Sequence, residues 1–171
     1  MITKIISGHQ TGVDLGAIDA ALSMGLPTSG YVPRGRKNED GVIPAHYRVI
    51  ELDTEEYPPR TKRNIESAGT TVILYRKTRG PGTMLTIKLA DQRVSKSEND
   101  PTDDYQMDLY DLSVEKSDDY QSMVAELSES LSGVVNFAGS RESGAPGIQR
   151  EVYEIVRRVI QAQKALAKSG K

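Results

Sequence analysis

The sequence predicts an α/β fold of three layers, a doubly wound and mostly parallel sheet between helices. Three observations predict it. Short apolar or β-branched runs alternate along the chain with longer amphipathic runs. The clearest run, Thr70-Thr71-Val72-Ile73-Leu74-Tyr75, is continuous rather than alternating, as in a strand covered on both faces. Polar segments bearing glycine recur between a strand and the helix that follows it: Ser7–Asp14, Gly30–Gly41, Arg76–Thr83 and Asn136–Gly147. In a parallel sheet the crossovers return the chain to the opposite edge, so all four loops are expected on one rim. Open α/β sheets bind their ligands at that rim.

The elements follow in order. Lys4-Ile5-Ile6 marks the first strand. Val13 to Met24 reads as a helix, because Val13, Ala17, Ile18, Ala21 and Leu22 recur at helical spacing. Thr11-x-x-Asp14 reads as its capping box, Gly25 as its C′ residue, and Pro27 ends it. Thr28 to Val32 and Tyr47 to Leu52 are expected as strands, with a charged loop, Pro33 to Gly41, between them. Pro58-Pro59 opens a helix that ends near Gly69. On it Arg60, Thr61 and Asn64 share one face, expected to be solvated. After the Thr70–Tyr75 strand, Leu85, Ile87 and Leu89 mark another amphipathic run. From Glu98 to Asp119 the chain holds nine acids and one base, a local charge of −8, and reads as an exposed loop or insertion with a short strand over Tyr105–Tyr110. A helix over Tyr120–Leu131 and a strand over Gly133–Ala138 follow. The last helix starts at Pro146 or Ile148 and runs to Ala167. Ile148, Val152, Ile155, Val159, Ala162 and Leu166 form its stripe, widened by Val156 and Ile160. The stripe is expected on the sheet, and part of it is available for a subunit contact, so a homo-oligomer is an expectation. Lys164, Lys168 and Lys171 suit the end of that helix and its tail.

Composition bounds the rest. A chain of 171 residues suits a single domain over 1–171, with an acidic insertion or loop region at about 95–119. One Phe, no Trp and eight Tyr leave the core to Ile, Leu, Val and Ala. The net charge of −2 gives no basic field for nucleic acid. The absence of cysteine excludes disulfides, thiolate catalysis and cysteine metal sites, and fits the cytoplasm. Two histidines and no cysteine give no transition-metal site. No leader pattern is evident, and no apolar run approaches a membrane span.

The expected partner is therefore a small anionic ligand. In the first loop Gly8, His9, Gln10, Thr11 and Gly12 precede a helix, where backbone N–H groups and the helix dipole suit an oxyanion. Its Gly-x-x-x-Gly spacing matches neither the dinucleotide fingerprint nor the P-loop. The other loops add Arg34, Gly35 and Arg36; Arg76, Lys77, Arg79, Gly80, Gly82 and Thr83; and Gly139, Arg141, Glu142 and Ser143. Arginine's planar fork suits phosphate. No serine or threonine of these loops has an evident base, so no catalytic residue is assigned and a carrier is expected over an enzyme. His46, ahead of a strand, reads as structural.

Ser7-Gly8-His9-Gln10-Thr11-Gly12-Val13-Asp14 resembles the opening signature of the molybdenum cofactor carrier family, permuted relatives of the YpsA group. The likeness continues through Gly30-Tyr31-Val32-Pro33-Arg34-Gly35-Arg36, Glu39-Asp40-Gly41, Tyr57, Arg60-Thr61 and Asn64. It closes with Asn136 to Ser143 and Pro146-Gly147-Ile148. This family lies in the Rossmann-like SLOG superfamily, with the lysine-decarboxylase-like nucleotide-binding proteins. The resemblance implies a Rossmann-like domain that holds the molybdenum cofactor or a nucleotide at the rim without transforming it. His9 stands where the family has a glycine, Leu15 where an arginine is common, and Ser140 where a proline is usual. Related phosphoribohydrolases carry Gly-Gly-x-Gly-Thr-x-x-Glu. Here Gly82-Thr83-Met84-Leu85-Thr86 occupies that stretch, and Thr86 cannot act as the carboxylate. The alternatives to a carrier are an enzyme acting on a nucleotide and a nucleotide-sensing module.

Overall fold

The elements of the computed structural model, which describes residues 1–113 and 117–169, alternate as expected. They are β1 (Ile2–Ile6), α1 (Val13–Ser23), β2 (Thr28–Ser29), β3 (Tyr31–Val32), β4 (Lys37–Asn38), β5 (Gly41–Val42), β6 (Ile50–Glu51), α2 (Tyr57–Glu66), β7 (Thr70–Tyr75), α3 (Pro81–Ser97), β8 (Gln106–Asp111), α4 (Ser117–Ser130), β9 (Gly133–Gly139) and α5 (Ile148–Ser169). Val114, Glu115 and Lys116 of the acidic segment, the side chains of Asp118 and Asp119, and Lys171 lie outside the described residues.

The central sheet has five strands in the order β2-β1-β9-β7-β8, and every pairing is parallel. This is a Rossmann-like fold. The strand that comes last in the chain sits in the middle. Counted from β9 onward, the spatial order reads 3-2-1-4-5, the doubly wound order, and the direction of winding reverses between β9 and β7.

Helices cover both faces. Val135 and Phe137 of β9 and Val72 and Leu74 of β7 point to α1, α4 and α5 and join one large core with Ala17, Ile18, Leu127, Val152 and Val156. Ile73, Ile65, Ala90 and Tyr105 form a smaller core under α2 and α3. Alternate β7 residues serve opposite faces, which is why that strand is apolar throughout.

Several expectations change. The strand expected over Thr28–Val32 breaks at Gly30, where a Cβ would lie 1.7 Å from the Ser7 carbonyl oxygen. Thr28–Ser29 stays on β1, whereas Tyr31–Val32 leaves to pair in parallel with β6. The Tyr47–Leu52 strand shrinks to Ile50–Glu51, and the charged loop contains an antiparallel hairpin, β4–β5. Thr11 does not cap α1: the N-cap is Gly12, without a side-chain bond, and Thr11 turns its hydroxyl to Glu39. Leu22 is exposed although Ala21, Met24 and Leu26 around it pack on the core, so it faces away from the sheet, and Leu166 is exposed on the last turns of α5. The face of Arg60, Thr61 and Asn64 is not solvated. Thr61 and Asn64 are buried, and Asn64 holds both the N–H (2.8 Å) and the C=O (3.0 Å) of Tyr31. The short strand expected over Tyr105–Tyr110 of the acidic segment is found as the edge strand β8. Among the described residues no helix is long and apolar enough to cross a membrane.

Candidate functional site at the C-terminal edge of the sheet

The four loops meet at one edge. Thr11 of the first loop and Ser143 of the fourth both donate to the carboxylate of Glu39 from the second. Arg76 of the third bonds the Pro146 carbonyl (2.8 Å) and pairs with Glu151 of α5. Three residues other than glycine hold a positive φ among the described residues, His9 (54°), Arg36 (52°) and Lys77 (60°), and all three lie in these loops. Such strain gathers where surrounding structure over-determines the backbone.

The first loop is closed from within. The N–H of His9 donates to Ser7 Oγ (3.1 Å), that of Gln10 to Asp14 Oδ2 (3.2 Å), that of Thr11 to Gln10 Oε1 (3.1 Å) and that of Gly12 to Gln149 Oε1 (3.1 Å). The Asp14 carboxyl thus takes up the loop's own amides. Burial raises its carboxyl pKa, against the pull of Arg60 and of the Gln10 and Gly8 amides. Arg60 reaches over Gly8 to lie 3.7 Å from Asp14. A Cβ on Gly8 would fall 1.5 Å from Arg60 Nη1, so only glycine leaves room for the guanidinium. Arg60 and Arg141 both stand over the Tyr57 ring, at 5.6 and 5.7 Å from its centroid.

His9 is wholly buried, edge-on to Tyr47 at 5.7 Å. Its Nδ1 lies 3.1 Å from the Ser7 carbonyl, which assigns the proton to Nδ1 and leaves Nε2 a bare acceptor. Nε2 is buried without a protein partner. Burial above all pulls its pKa down to about 4. The Ser7 carbonyl opposes this, and Arg60 and Arg36 add to it. The ring is therefore neutral at pH 7.

The second loop spends its arginines locally. Arg36 donates to the carbonyls of Ile43 (3.2 Å), Pro44 (2.9 Å) and Tyr47 (3.2 Å). Arg34 is exposed and lies 3.5 Å from Asp53 and 3.6 Å from Glu55. Gly35 N–H bonds Glu51. None of these three residues lines the cavity between the third and fourth loops.

Those two loops do share a cavity. It has a volume of about 270 Å³, between Thr78, Gly80, Pro81, Gly82 and Thr83 on one side and Gly139, Ser140, Arg141, Ser143 and Gly144 on the other. It lies between the C-terminal ends of β7 and β9, where the winding reverses. The helix α3 begins there with no side-chain cap, and Pro81 has no N–H. The first-turn amides of Gly82 and Thr83 have no carbonyl within the helix to bond. A Cβ on Gly82 would meet nothing within 4 Å. Arg79, held by Tyr75 through a 3.1 Å bond to its hydroxyl and 4.8 Å above its ring, stands next to this helix start. The start of α5 is different, because Glu142 caps it by accepting from Gly147 (2.5 Å) and Gln149 (2.9 Å). A larger groove of about 900 Å³ lies along α1 and α5, lined by Asp19, Glu142, Arg150 and Glu154 among others. Its charges are of both signs and partly paired with each other, so it favours no one class of ion.

A family model, the circularly permutated YpsA SLOG family, matches residues 5–160. The chain belongs to this family. The position of β9 at the sheet centre is the permutation in physical form. No curated protein matches the sequence significantly. A crystal structure of a protein from Syntrophus aciditrophicus SB, named "Putative molybdenum carrier protein", is similar at 30% identity with a TM-score of 0.74, over 95% of this chain and 94% of that one. Within this YpsA-related fold, the sequence reading omitted Tyr57, Arg60 and Glu39 from the site. Helical spacing placed Arg60 with Thr61 and Asn64, but only the tertiary fold turns that face toward Gly8.

Proposed function

We propose that this protein binds or carries a small anionic, phosphate-bearing ligand in the cavity between the third and fourth loops. The molybdenum cofactor is the first candidate, since the similar Syntrophus protein is named a molybdenum carrier, and a nucleotide is the second. One observation carries the reading. At this rim Asp14 fills the first loop and Glu142 caps α5, whereas the amides of Gly82 and Thr83 open onto a cavity. A helix N-terminus with Arg141 and Arg79 beside it suits a phosphate. The hydroxyl of Ser140 adds a neutral donor. In this reading Gly80, Gly82, Thr83, Gly139, Arg141 and Ser143 contact the ligand. Gly8, His9, Gln10, Gly12 and Glu142 hold the rim in shape from behind, and Thr11 anchors Glu39. Arg34, Gly35 and Arg36 order the second loop.

A carrier is favoured over a phosphoribohydrolase. The position of that group's glutamate is Thr86, which is buried and returns its hydroxyl to the Gly82 carbonyl (3.0 Å). It presents no carboxylate to a sugar.

Gly82→Asp tests the site without harming the fold. The added side chain has open space, and an acid in a helix's first turn is stabilising. Calorimetry with inorganic phosphate and with adenosine monophosphate should show affinity lower by about tenfold or more, some 1.4 kcal/mol, with a melting temperature no lower than the parent's. Equal affinity in the variant and the parent would remove the cavity from consideration.

A further inference from the structure

Glu39 makes a contact that neither the fold nor the α3 cavity requires. It stands on the exposed tip of the β4–β5 hairpin, yet its carboxylate reaches the fourth loop. Oε2 accepts from Ser143 Oγ (2.6 Å), and Oε1 accepts from the Ser143 N–H (3.2 Å) and from the Thr11 hydroxyl. Burial alone would raise its pKa, but the Ser143 and Thr11 donors and the nearby Arg141 hold the carboxyl below its ordinary range. At neutral pH a full negative charge therefore sits among these groups. Ser143 and Arg141 also line the α3 cavity, so the seat of this carboxylate adjoins it.

We propose that Thr11, Ser143 and Arg141 form a second oxyanion seat, filled by the Glu39 carboxylate in the free protein and vacated for the second anionic group of a ligand that carries two. This rests on the reading of the α3 cavity as the ligand site, and it narrows the ligand class to diphosphates and compounds with two separated oxyanions. The hairpin is built for local release. Its base is fixed by the three carbonyl bonds of Arg36 and by buried Ile43. Its tip is held on the rim by Glu39 and by two lighter ties. These are Asn38 Nδ2 to the His9 carbonyl (3.2 Å) and the Glu39 N–H to Gln10 Oε1 (2.8 Å). Gly41, at φ 116°, lies next to the tip and turns the chain back into β5. A like-charged ligand group and Glu39 cannot share the seat, so binding there and hairpin release are one event.

The test compares inorganic pyrophosphate with inorganic phosphate on the full chain, by calorimetry and by hydrogen exchange over residues 37–42. Glu39→Gln keeps the side-chain shape and removes the charge. It should tighten pyrophosphate binding by about tenfold, the penalty expected if the seat is free roughly one-tenth of the time, and leave phosphate binding within about twofold. In the parent, saturating pyrophosphate should speed exchange at 37–42, and phosphate should not. Ser143→Ala, which removes a donor from the seat, should reduce the preference for pyrophosphate. Pyrophosphate affinity unchanged or weakened by Glu39→Gln overturns the second seat, as does exchange at 37–42 that ignores pyrophosphate. If phosphate binding is then still lost in Gly82→Asp, the α3 site stands without it. If neither anion binds the parent or Glu39→Gln, both readings fall together.

Discussion

His9 shows how one residue in this loop couples backbone strain to charge. Its φ of 54° is a conformation that asparagine also accepts, and its ring is buried against Ser7 and Tyr47 within the field of Arg60 and Arg36. With its pKa brought to about 4 in the fold against an ordinary 6.5, the unfolded chain takes up a proton that the native ring refuses. Stability from this group is therefore complete above about pH 6.5 and is lost as pH falls toward 4, by about 3 kcal/mol in all. Asp14, whose pKa is raised, titrates with the opposite sign and is present in any His9 variant. Urea unfolding at pH 7 and pH 4.5 should show a smaller acid loss in His9→Asn than in the parent. The same loss in both proteins would place the sensitivity elsewhere. Little of this was legible in the sequence. A histidine among glycines is visible, but its burial involves Tyr47, which lies 38 positions away.

At the scale of elements, hydrophobic spacing found the helices and buried strands, and it failed where an element outruns its neighbours. The stripe on α5 includes Ala162 and Leu166, yet Leu166 is exposed, and the side chain turned inward between them is Gln163. A helix of 22 residues is about 33 Å long, whereas a strand of seven spans about 23 Å, so the last turns of α5 overhang the sheet. At that border Gln163 ties three elements together. Its Oε1 accepts from the Ile2 N–H (2.8 Å), and its Nε2 donates to the carbonyls of Ser128 (3.1 Å) and Leu131 (2.7 Å). Gln163→Leu keeps the bulk and leaves those backbone groups buried and unpaired. Chemical denaturation should show a loss of about 3 kcal/mol, with the slope against denaturant unchanged. A loss under about 1 kcal/mol would mean that water replaces the amide, as at an ordinary surface site. The same limit explains the arginines. Their clustering in the loops was visible, but Arg36 and Arg76 spend their donors on carbonyls that only the folded path of the chain brings near.

Over the whole molecule, alternation made a parallel sheet with a loop-bearing rim legible, but it did not order the strands. β7 and β9 are both short buried runs, and nothing in either says which is central. The register does: β9 pairs with β1 on one side and with β7 on the other. In the unpermuted winding β9 would come first and pass through α5 to β1. The structure keeps that crossover in place without the covalent link, since the Ile2 N–H meets Gln163 and the Met1 carbonyl accepts from the Gly133 N–H (3.0 Å). Restoring the link should therefore be tolerated. A variant that begins at Ser132, joins the end of α5 to Met1 through six Gly and Ser residues, and ends at Leu131 would wind in sequence order 3-2-1-4-5. Such a linker spans roughly 13 Å as a coil, enough to turn back from the overhanging end of α5. The variant should give the same far-ultraviolet dichroism, a stability within about 2 kcal/mol of the parent and the same phosphate affinity, because the cavity between the ends of β7 and β9 is far from both the new join and the new cut. If instead it aggregates or melts without cooperativity, then the order of synthesis, and not only the final packing of β9, is needed to reach this fold.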